Sequence, residues 1–163
     1  MSDASLLSGH VREEIEHWKT KFPKDRQRSA VIGALHAVQH ENNGYLTAEL
    51  MNEVADYLDL PTIQVYEVAT FYSMFQTKPV GRHNVAICTN VSCMLRGGEE
   101  LLERVESKLG IKAGESTDDG RIYLKKEEEC LAACCGAPMM MVDHKYHENL
   151  TPEMVDEILD GLE

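Results

Sequence analysis

The sequence contains no apolar run that approaches the roughly 20 residues required of a membrane-spanning helix. Its first residues have neither the basic-then-apolar pattern of a secretory signal nor the Arg-rich, acid-poor character of an organelle transit peptide. Basic residues are also scarce, with 16 Lys and Arg against 28 Asp and Glu and a net charge of −12. That charge repels nucleic-acid phosphates and anionic membrane surfaces. We therefore expect a cytoplasmic protein without direct membrane insertion and without a nucleic-acid partner.

Cysteine is absent from the first 87 residues, and the five cysteines that follow lie in two short segments. An odd number of clustered thiols in a reducing compartment favours a metal site over a disulfide framework. No Cys-x-x-Cys motif occurs, which argues against a dithiol oxidoreductase. No Gly-x-Gly-x-x-Gly or Walker-type loop occurs either, so nothing predicts NADH, flavin or a catalytic residue on this chain.

Residues 1–79 show apolar side chains at helical spacing in four stretches joined by short connections. Pro23 ends the first stretch, and the second runs from about 26 to 42. Thr47 is a predicted N-cap of the third helix, and Pro61 precedes the fourth. These features predict an N-terminal helical bundle that serves as an assembly module.

Residues 80–163 change to a mixed pattern of alternating and helical segments. The alternating segments at 83–88, 121–125, 139–142 and 145–147 predict strands, while 97–109 and the segment after Thr151-Pro152 predict helices. The order β-α-β-β-β-α fits a thioredoxin-like α/β layer. The predicted fold class is therefore α+β, with an N-terminal helical bundle over 1–79 followed by a thioredoxin-like α/β domain over 80–163.

Two cysteine loops carry the chemistry, Cys88-Thr-Asn-Val-Ser-Cys93 and Cys130-Leu-Ala-Ala-Cys134-Cys135. In a thioredoxin-like sheet both loops project from the same end, so their thiols can converge. Four thiolates can hold two sulfide-bridged irons, with two thiolates on each iron. Four cysteines also bind zinc tetrahedrally, but zinc knuckles favour two-residue spacers and these spacers are four and three. The spacing favours an iron–sulfur cluster and leaves a zinc-stabilised, non-redox interaction domain as the alternative.

At these residues the sequence resembles the thioredoxin-like [2Fe–2S] subunit of NADH:quinone oxidoreductase (respiratory complex I). The same family provides electron-transfer subunits of NAD-linked hydrogenases and formate dehydrogenases, and that role is an alternative here. The resemblance covers roughly residues 20–160. It is carried by the segments 65–75, 88–93, 97–98, 129–134 and 137–139.

The resemblance implies that Cys88, Cys93, Cys130 and Cys134 ligate one [2Fe–2S] cluster. It implies that NADH and FMN are bound by a partner flavoprotein subunit, with which this non-catalytic chain exchanges single electrons. Further complex I subunits are expected partners, in a peripheral arm at the cytoplasmic side of the membrane. A free-standing ferredoxin is a further alternative, which the sizeable bundle argues against.

The sequence departs from the family pattern at Ala132, where glycine is frequent, and by the extra thiol of Cys135. We predict that Cys135 is not a ligand, because neighbouring side chains point in different directions. Cys134 has the family spacing from Cys130, and a helical turn between them would place both thiols on one side. The acidic run 127–129 is typical of a solvated face, and its place near the cluster leaves a lower reduction potential as the alternative interpretation. In the bundle, Tyr66 and Tyr72 are predicted to be exposed docking positions.

Overall fold

A computed structural model describes residues 6–126 and 130–163 of the chain. The chain forms two compact units that divide between Pro79 and Val80, one helical and one built on a mixed sheet. The predicted α+β class is confirmed. Within the described ranges, no helix has the length and apolar character needed to cross a membrane.

The helical unit contains α1 (Gly9–Lys19), α2 (Val31–Glu41), α3 (Ala48–Tyr57) and α4 (Thr62–Phe71). Thr47 caps α3 as predicted, since its Oγ1 accepts the N–H of Leu50 at 3.2 Å. The second helix begins later than predicted, because Lys24–Ala30 forms a 3₁₀ segment and Arg26 has a non-helical backbone (φ −126°, ψ 21°).

The core of the helical unit is one cluster of aliphatic side chains contributed by all four helices. Ile15, Leu35, Val54 and Val65 are fully buried in it, and each contributes about 1.5–3 kcal/mol of transfer free energy. Within this unit, Trp18 of α1 packs on Gly33 of α2, where an added Cβ would lie 2.4 Å from the indole ring. The close packing of α1 on α2 therefore depends on a glycine at that position.

The second unit contains β1 (His83–Ile87), α5 (Val91–Met94), α6 (Gly98–Leu109), β2 (Ile122–Leu124), β3 (Met140–Val142), β4 (Lys145–His147) and α7 (Pro152–Asp160). The strand order is β2-β1-β3-β4, with β1 and β2 parallel and the other pairs antiparallel. Apart from the single turn of α5, the predicted order of strands and helices is confirmed. Thr151 caps α7, since its Oγ1 accepts the N–H of Met154 at 3.3 Å.

Successive side chains along β1 point to opposite sides of this sheet. Val85 and Ile87 of β1 are buried in the cluster that includes Leu101 of α6 and Val155 of α7. Ala86 points the other way, into a smaller cluster that contains Cys88, Cys93, Leu131, Ala137 and Met139. Two of the four metal-binding candidates, Cys88 and Cys93, therefore lie in an apolar cluster that is separate from the main core of the unit.

Candidate metal centre

The candidate site is built where β1 ends and β3 begins. Ile87 pairs with Met140 across the antiparallel strands, and the N–H of Cys88 donates to the carbonyl of Met139 at 3.2 Å. Chain direction is opposite in the two strands, so the segment that leaves β1 lies beside the segment that enters β3. This pairing brings the two cysteine loops to the same end of the sheet.

The first loop buries both of its thiols. Cys88 is 3% exposed and Cys93, on α5, is 2% exposed. Asn90 begins α5, with its Oδ1 accepting the N–H of Val91 at 2.9 Å. Gly98 follows at the start of α6, where an added Cβ would lie 2.8 Å from the Cys88 carbonyl oxygen and 2.9 Å from the Cys93 carbonyl group. The backbone of the loop is therefore packed directly against that of α6.

The second loop leaves its thiols exposed. Cys130, Cys134 and Cys135 are all accessible, while the intervening Leu131 is buried and anchors the segment. The expectation of a helical turn between Cys130 and Cys134 is wrong. Ala132 has a left-handed backbone (φ 60°), and only Cys134–Gly136 forms a short 3₁₀ turn. A left-handed residue reverses the local path of the chain, which a helical spacing argument does not anticipate.

The predicted thiols influence one another around Cys88. The thiols of Cys93 and Cys130, one from each loop, both lower the pKa of the Cys88 thiol. Cys134 acts on Cys93 through an electrostatic interaction. Across 6–126 and 130–163, no three His, Cys, Asp or Glu side chains form a ready-made site for a single ion. The acidic run 127–129 lies outside the described residues.

The surroundings of Cys88 and Cys93 favour one negative charge at this pair. Burial opposes ionisation of Cys88, but N–H groups of Leu131 and Asn90 and the neighbouring thiols lower its pKa. Burial, followed by the contact with Cys88, raises the pKa of Cys93 to about 11. Cys88 therefore ionises before Cys93, and a metal ion beside the pair would favour the second thiolate.

The donor set fits an iron–sulfur cluster. The backbone N–H of Ala132 donates to Sγ of Cys130 at 3.3 Å, and a backbone contact from Met139 lowers the pKa of Cys93. Together with the N–H groups at Cys88, backbone donors reach three of the four predicted ligands. Hydrogen bonds to ligand sulfurs stabilise negative charge and tune the potential of such clusters.

Ala132 offers a direct test of the second loop. A left-handed backbone costs an L-residue about 1–2 kcal/mol, and glycine avoids this cost. Glycine also makes the unfolded chain more flexible, which lowers the free energy of unfolding by about 0.4–1 kcal/mol and offsets part of that gain. We expect Ala132→Gly to raise the midpoint of thermal unfolding, followed by circular dichroism under anaerobic conditions.

Ala133→Gly is the matched control, because Ala133 has a negative φ of −115°. There the unfolded chain becomes more flexible and the Ala133 methyl group no longer packs on the apolar cluster, so the midpoint should fall. Shifts of the same sign in both variants would contradict the left-handed loop.

Comparison with known proteins places the chain in a family. The sequence model of the family described as thioredoxin-like [2Fe–2S] ferredoxin matches residues 15–163. The chain belongs to this family. The resemblance predicted from the cysteine loops is thereby confirmed, and the match extends through both units of this thioredoxin-like ferredoxin.

Two bacterial relatives of this thioredoxin-like ferredoxin are similar over most of their length. Both are named as subunits of NADH-quinone oxidoreductase. The relative from Rickettsia bellii is 42% identical over 142 residues, which are 87% of this chain and 84% of the relative. The relative from Rhizobium meliloti is 46% identical over 151 residues, or 93% of this chain and 88% of the relative. The chain is thus similar to one component of an oxidoreductase complex.

Among solved structures, the chain resembles an NAD⁺-reducing [NiFe]-hydrogenase in the air-oxidised state, with a TM-score of 0.67 and 23% identity. The match covers 78% of this chain and 22% of the hydrogenase chain. The chain therefore matches about a fifth of the length of that hydrogenase chain, and the likeness shows a shared fold.

Proposed function

We propose that this chain is an electron-transfer subunit of NADH:quinone oxidoreductase that carries one [2Fe–2S] cluster on Cys88, Cys93, Cys130 and Cys134. The supporting observation is that Cys88 and Cys93 of the first loop are buried in one apolar cluster with Leu131 of the second loop. The family match and the names of the relatives support the host complex. When bound, the cluster supplies storage of a single electron, since only the iron oxidation state changes.

The chain acts in this proposal as a non-catalytic member of the assembly. NADH and FMN are placed on the partner flavoprotein subunit, and further complex I subunits complete a peripheral arm at the cytoplasmic side of the membrane. The names of the relatives support such an assembly. The partner flavin then exchanges electrons with this chain one at a time.

The residues around the thiols control burial, charge and access. Leu131, Ala137 and Met139 are buried beside Cys88 and Cys93, and they exclude water from the inner thiols. Backbone N–H groups offset part of the cost of burying negative charge there. Cys130 and Cys134 lie on the exposed side. The second loop is therefore the part of the site that solvent reaches.

The proposal predicts a reducible [2Fe–2S] centre of low potential. All-cysteine centres lie nearer about −400 mV than histidine-ligated ones do. Iron and sulfide analysis of anaerobically purified protein should give two irons and two sulfides per chain, as in any [2Fe–2S] centre. A redox titration followed by low-temperature EPR should then give one signal. A colourless, zinc-loaded protein, a four-iron signal or no signal after strong reduction would contradict the cluster.

The helical unit presents an exposed apolar surface that fits its proposed role as an assembly module. Phe71 at the end of α4 is 81% exposed and packs edge-on against Tyr72 at 5.0 Å, with Ile63 also exposed. The predicted exposure is confirmed for Tyr72, which is 40% exposed, but is wrong for Tyr66, which is half-buried and whose hydroxyl donates to the Ala48 carbonyl at 3.3 Å. Exposed apolar side chains are typical of interaction sites.

Removing the helical unit is expected to separate cluster binding from assembly. All five thiols lie beyond residue 87, and the two units have separate hydrophobic cores. A fragment of residues 80–163 should remain coloured but co-purify poorly with the flavoprotein subunit. The full-length variant Phe71→Ser tests the helical unit without removing it. It should also reduce co-purification of the flavoprotein subunit. Equal partner recovery by fragment and full chain would exclude the assembly role of residues 1–79.

A further inference from the structure

Arg96 connects the backbone segments that follow the two cysteine loops. It lies three residues after Cys93, on the turn that leaves α5, where its backbone N–H donates to the Cys93 carbonyl at 3.0 Å. Its guanidinium donates to the carbonyl of Ala137, three residues after Cys134, at 3.2 Å. One residue is therefore bonded to the backbone beside the last predicted ligand of each loop.

The carbonyl that Arg96 reaches belongs to the segment that holds Cys134. Ala137 is 1% exposed and lies in the same apolar cluster as Cys88 and Cys93. Its backbone N–H donates to the Cys134 carbonyl at 3.3 Å, which closes the 3₁₀ turn of the second loop. A buried carbonyl that loses its donor is left unsatisfied, which is costly. The bond from the guanidinium therefore restrains the turn that carries Cys134.

The second loop needs such a restraint more than the first loop does. The first loop fixes its two thiols by burial, whereas the thiols of the second loop are exposed. The buried Leu131 anchors the start of the second loop, and the N–H of Asn149 donates to the Gly136 carbonyl in its turn at 2.7 Å. Arg96 ties that same end of the loop to the first loop. Its side chain thus helps to set where the Cys134 thiol stands relative to the buried pair.

The charge of Arg96 gives this contact a second effect. A guanidinium keeps its proton at any physiological pH, and charged donors form stronger hydrogen bonds than neutral ones. The four proposed thiolates make the site negative, and reduction adds one electron without forming or breaking a bond. A fixed positive charge beside the site therefore favours the reduced form and raises the reduction potential.

We propose that Arg96 is a positioning residue that ties the turn of Cys134 to the first loop, and that its charge raises the reduction potential of the cluster. This inference rests on the proposed function, since it assumes a cluster on Cys88, Cys93, Cys130 and Cys134. The four ligands keep their roles. Arg96 acts on them through the backbone and through its charge.

The test compares full-length, cluster-loaded variants at Arg96. Arg96→Gln is shorter and uncharged, so the midpoint potential in a redox titration followed by EPR should become more negative. Iron should also pass to an added iron chelator about threefold faster, which is the effect of losing one ordinary hydrogen bond. Arg96→Lys keeps the charge but not the forked donor group. Its potential should therefore stay close to that of the unchanged chain, with an intermediate rate of iron release.

Arg121→Gln is the matched control. Arg121 lies in the same unit, and its guanidinium also donates to a backbone carbonyl, that of Leu162 at 2.8 Å. It directly precedes β2, whose first residue pairs with the first residue of the parallel β1. Arg121 therefore stands at the opposite end of the sheet from the cysteine loops. Its replacement should lower the midpoint of thermal unfolding but leave the potential and the rate of iron release unchanged.

Three results would overturn the inference while leaving the proposed function in place. One is an Arg96→Gln chain whose potential and iron release equal those of the unchanged chain. The second is an equal change in Arg121→Gln, which would assign the effect to general destabilisation. The third is a potential that falls as far in Arg96→Lys as in Arg96→Gln.

Two further results have a clear meaning. Complete loss of the cluster from Arg96→Gln, with retention in Arg96→Lys and Arg121→Gln, would support the positioning role. Failure of the proposed function is recognised separately, because the unchanged chain would then lack iron and sulfide.

Discussion

Replacing Cys134 with alanine is expected to remove iron and sulfide from the purified chain, whereas Cys135→Ala should leave both unchanged. The two cysteines are consecutive in a 3₁₀ turn, where neighbouring side chains point about 120° apart. Both cannot face the buried Cys88–Cys93 pair, and Cys134 is the one that interacts electrostatically with Cys93. Iron, acid-labile sulfide and the visible spectrum of anaerobically purified protein provide the measurement.

This pair of variants is closely matched, because both thiols are exposed and lie in the same turn. A labile cluster in Cys134→Ala would indicate that Cys135 rotates into the vacant position. The double variant Cys134→Ala, Cys135→Ala should then lose that residual cluster. Loss of iron from Cys135→Ala with full retention in Cys134→Ala would reverse the ligand assignment. As an exposed thiol beside the site, Cys135 should also be open to oxidation.

Local sequence signals predicted the elements that frame the site. The side chains of Thr47 and Thr151 accept backbone N–H groups at the N-termini of their helices. This capping depends on neighbouring residues only, so the sequence predicts it without tertiary information. Alternation along 83–88 identified β1, because one side of the strand packs on helices. Asn90 carries the same kind of capping signal at α5 and would have predicted that turn.

The path of the second loop could not be read from the spacing of its cysteines. Ala132 has a left-handed backbone beside the buried Leu131, in a segment that leads into the pairing of β3 with β1. Burial and strand pairing are long-range interactions that cysteine spacing does not encode. Alanine carries no local preference for that conformation. Exposure of Phe71 was also missed, because helical periodicity identifies a face but not whether the chain itself covers it.

Adding one methyl group at Gly98 is expected to damage both the fold and the cluster. Alanine is better than glycine inside helices by about 1 kcal/mol, so propensity alone predicts that Gly98→Ala stabilises α6. Its Cβ, however, would lie 2.8 Å from the Cys88 carbonyl oxygen and 2.9 Å from the Cys93 carbonyl group. These are backbone atoms that cannot rotate away, and overpacking of this kind costs about 1–3 kcal/mol. The clash therefore reverses the sign that propensity predicts.

Gly161→Ala is the matched control in the same unit. Gly161 ends α7 with an ordinary φ of −83°, and an added Cβ would lie 3.4 Å from the Glu157 carbonyl oxygen. We expect Gly161→Ala to change the unfolding midpoint little, and Gly98→Ala to lower it and to reduce iron per chain. Thermal unfolding followed by circular dichroism, with iron analysis of the same samples, separates the two effects. An increase in the midpoint of Gly98→Ala with full iron content would mean that α6 can move away from Cys88 and Cys93 without loss of the site.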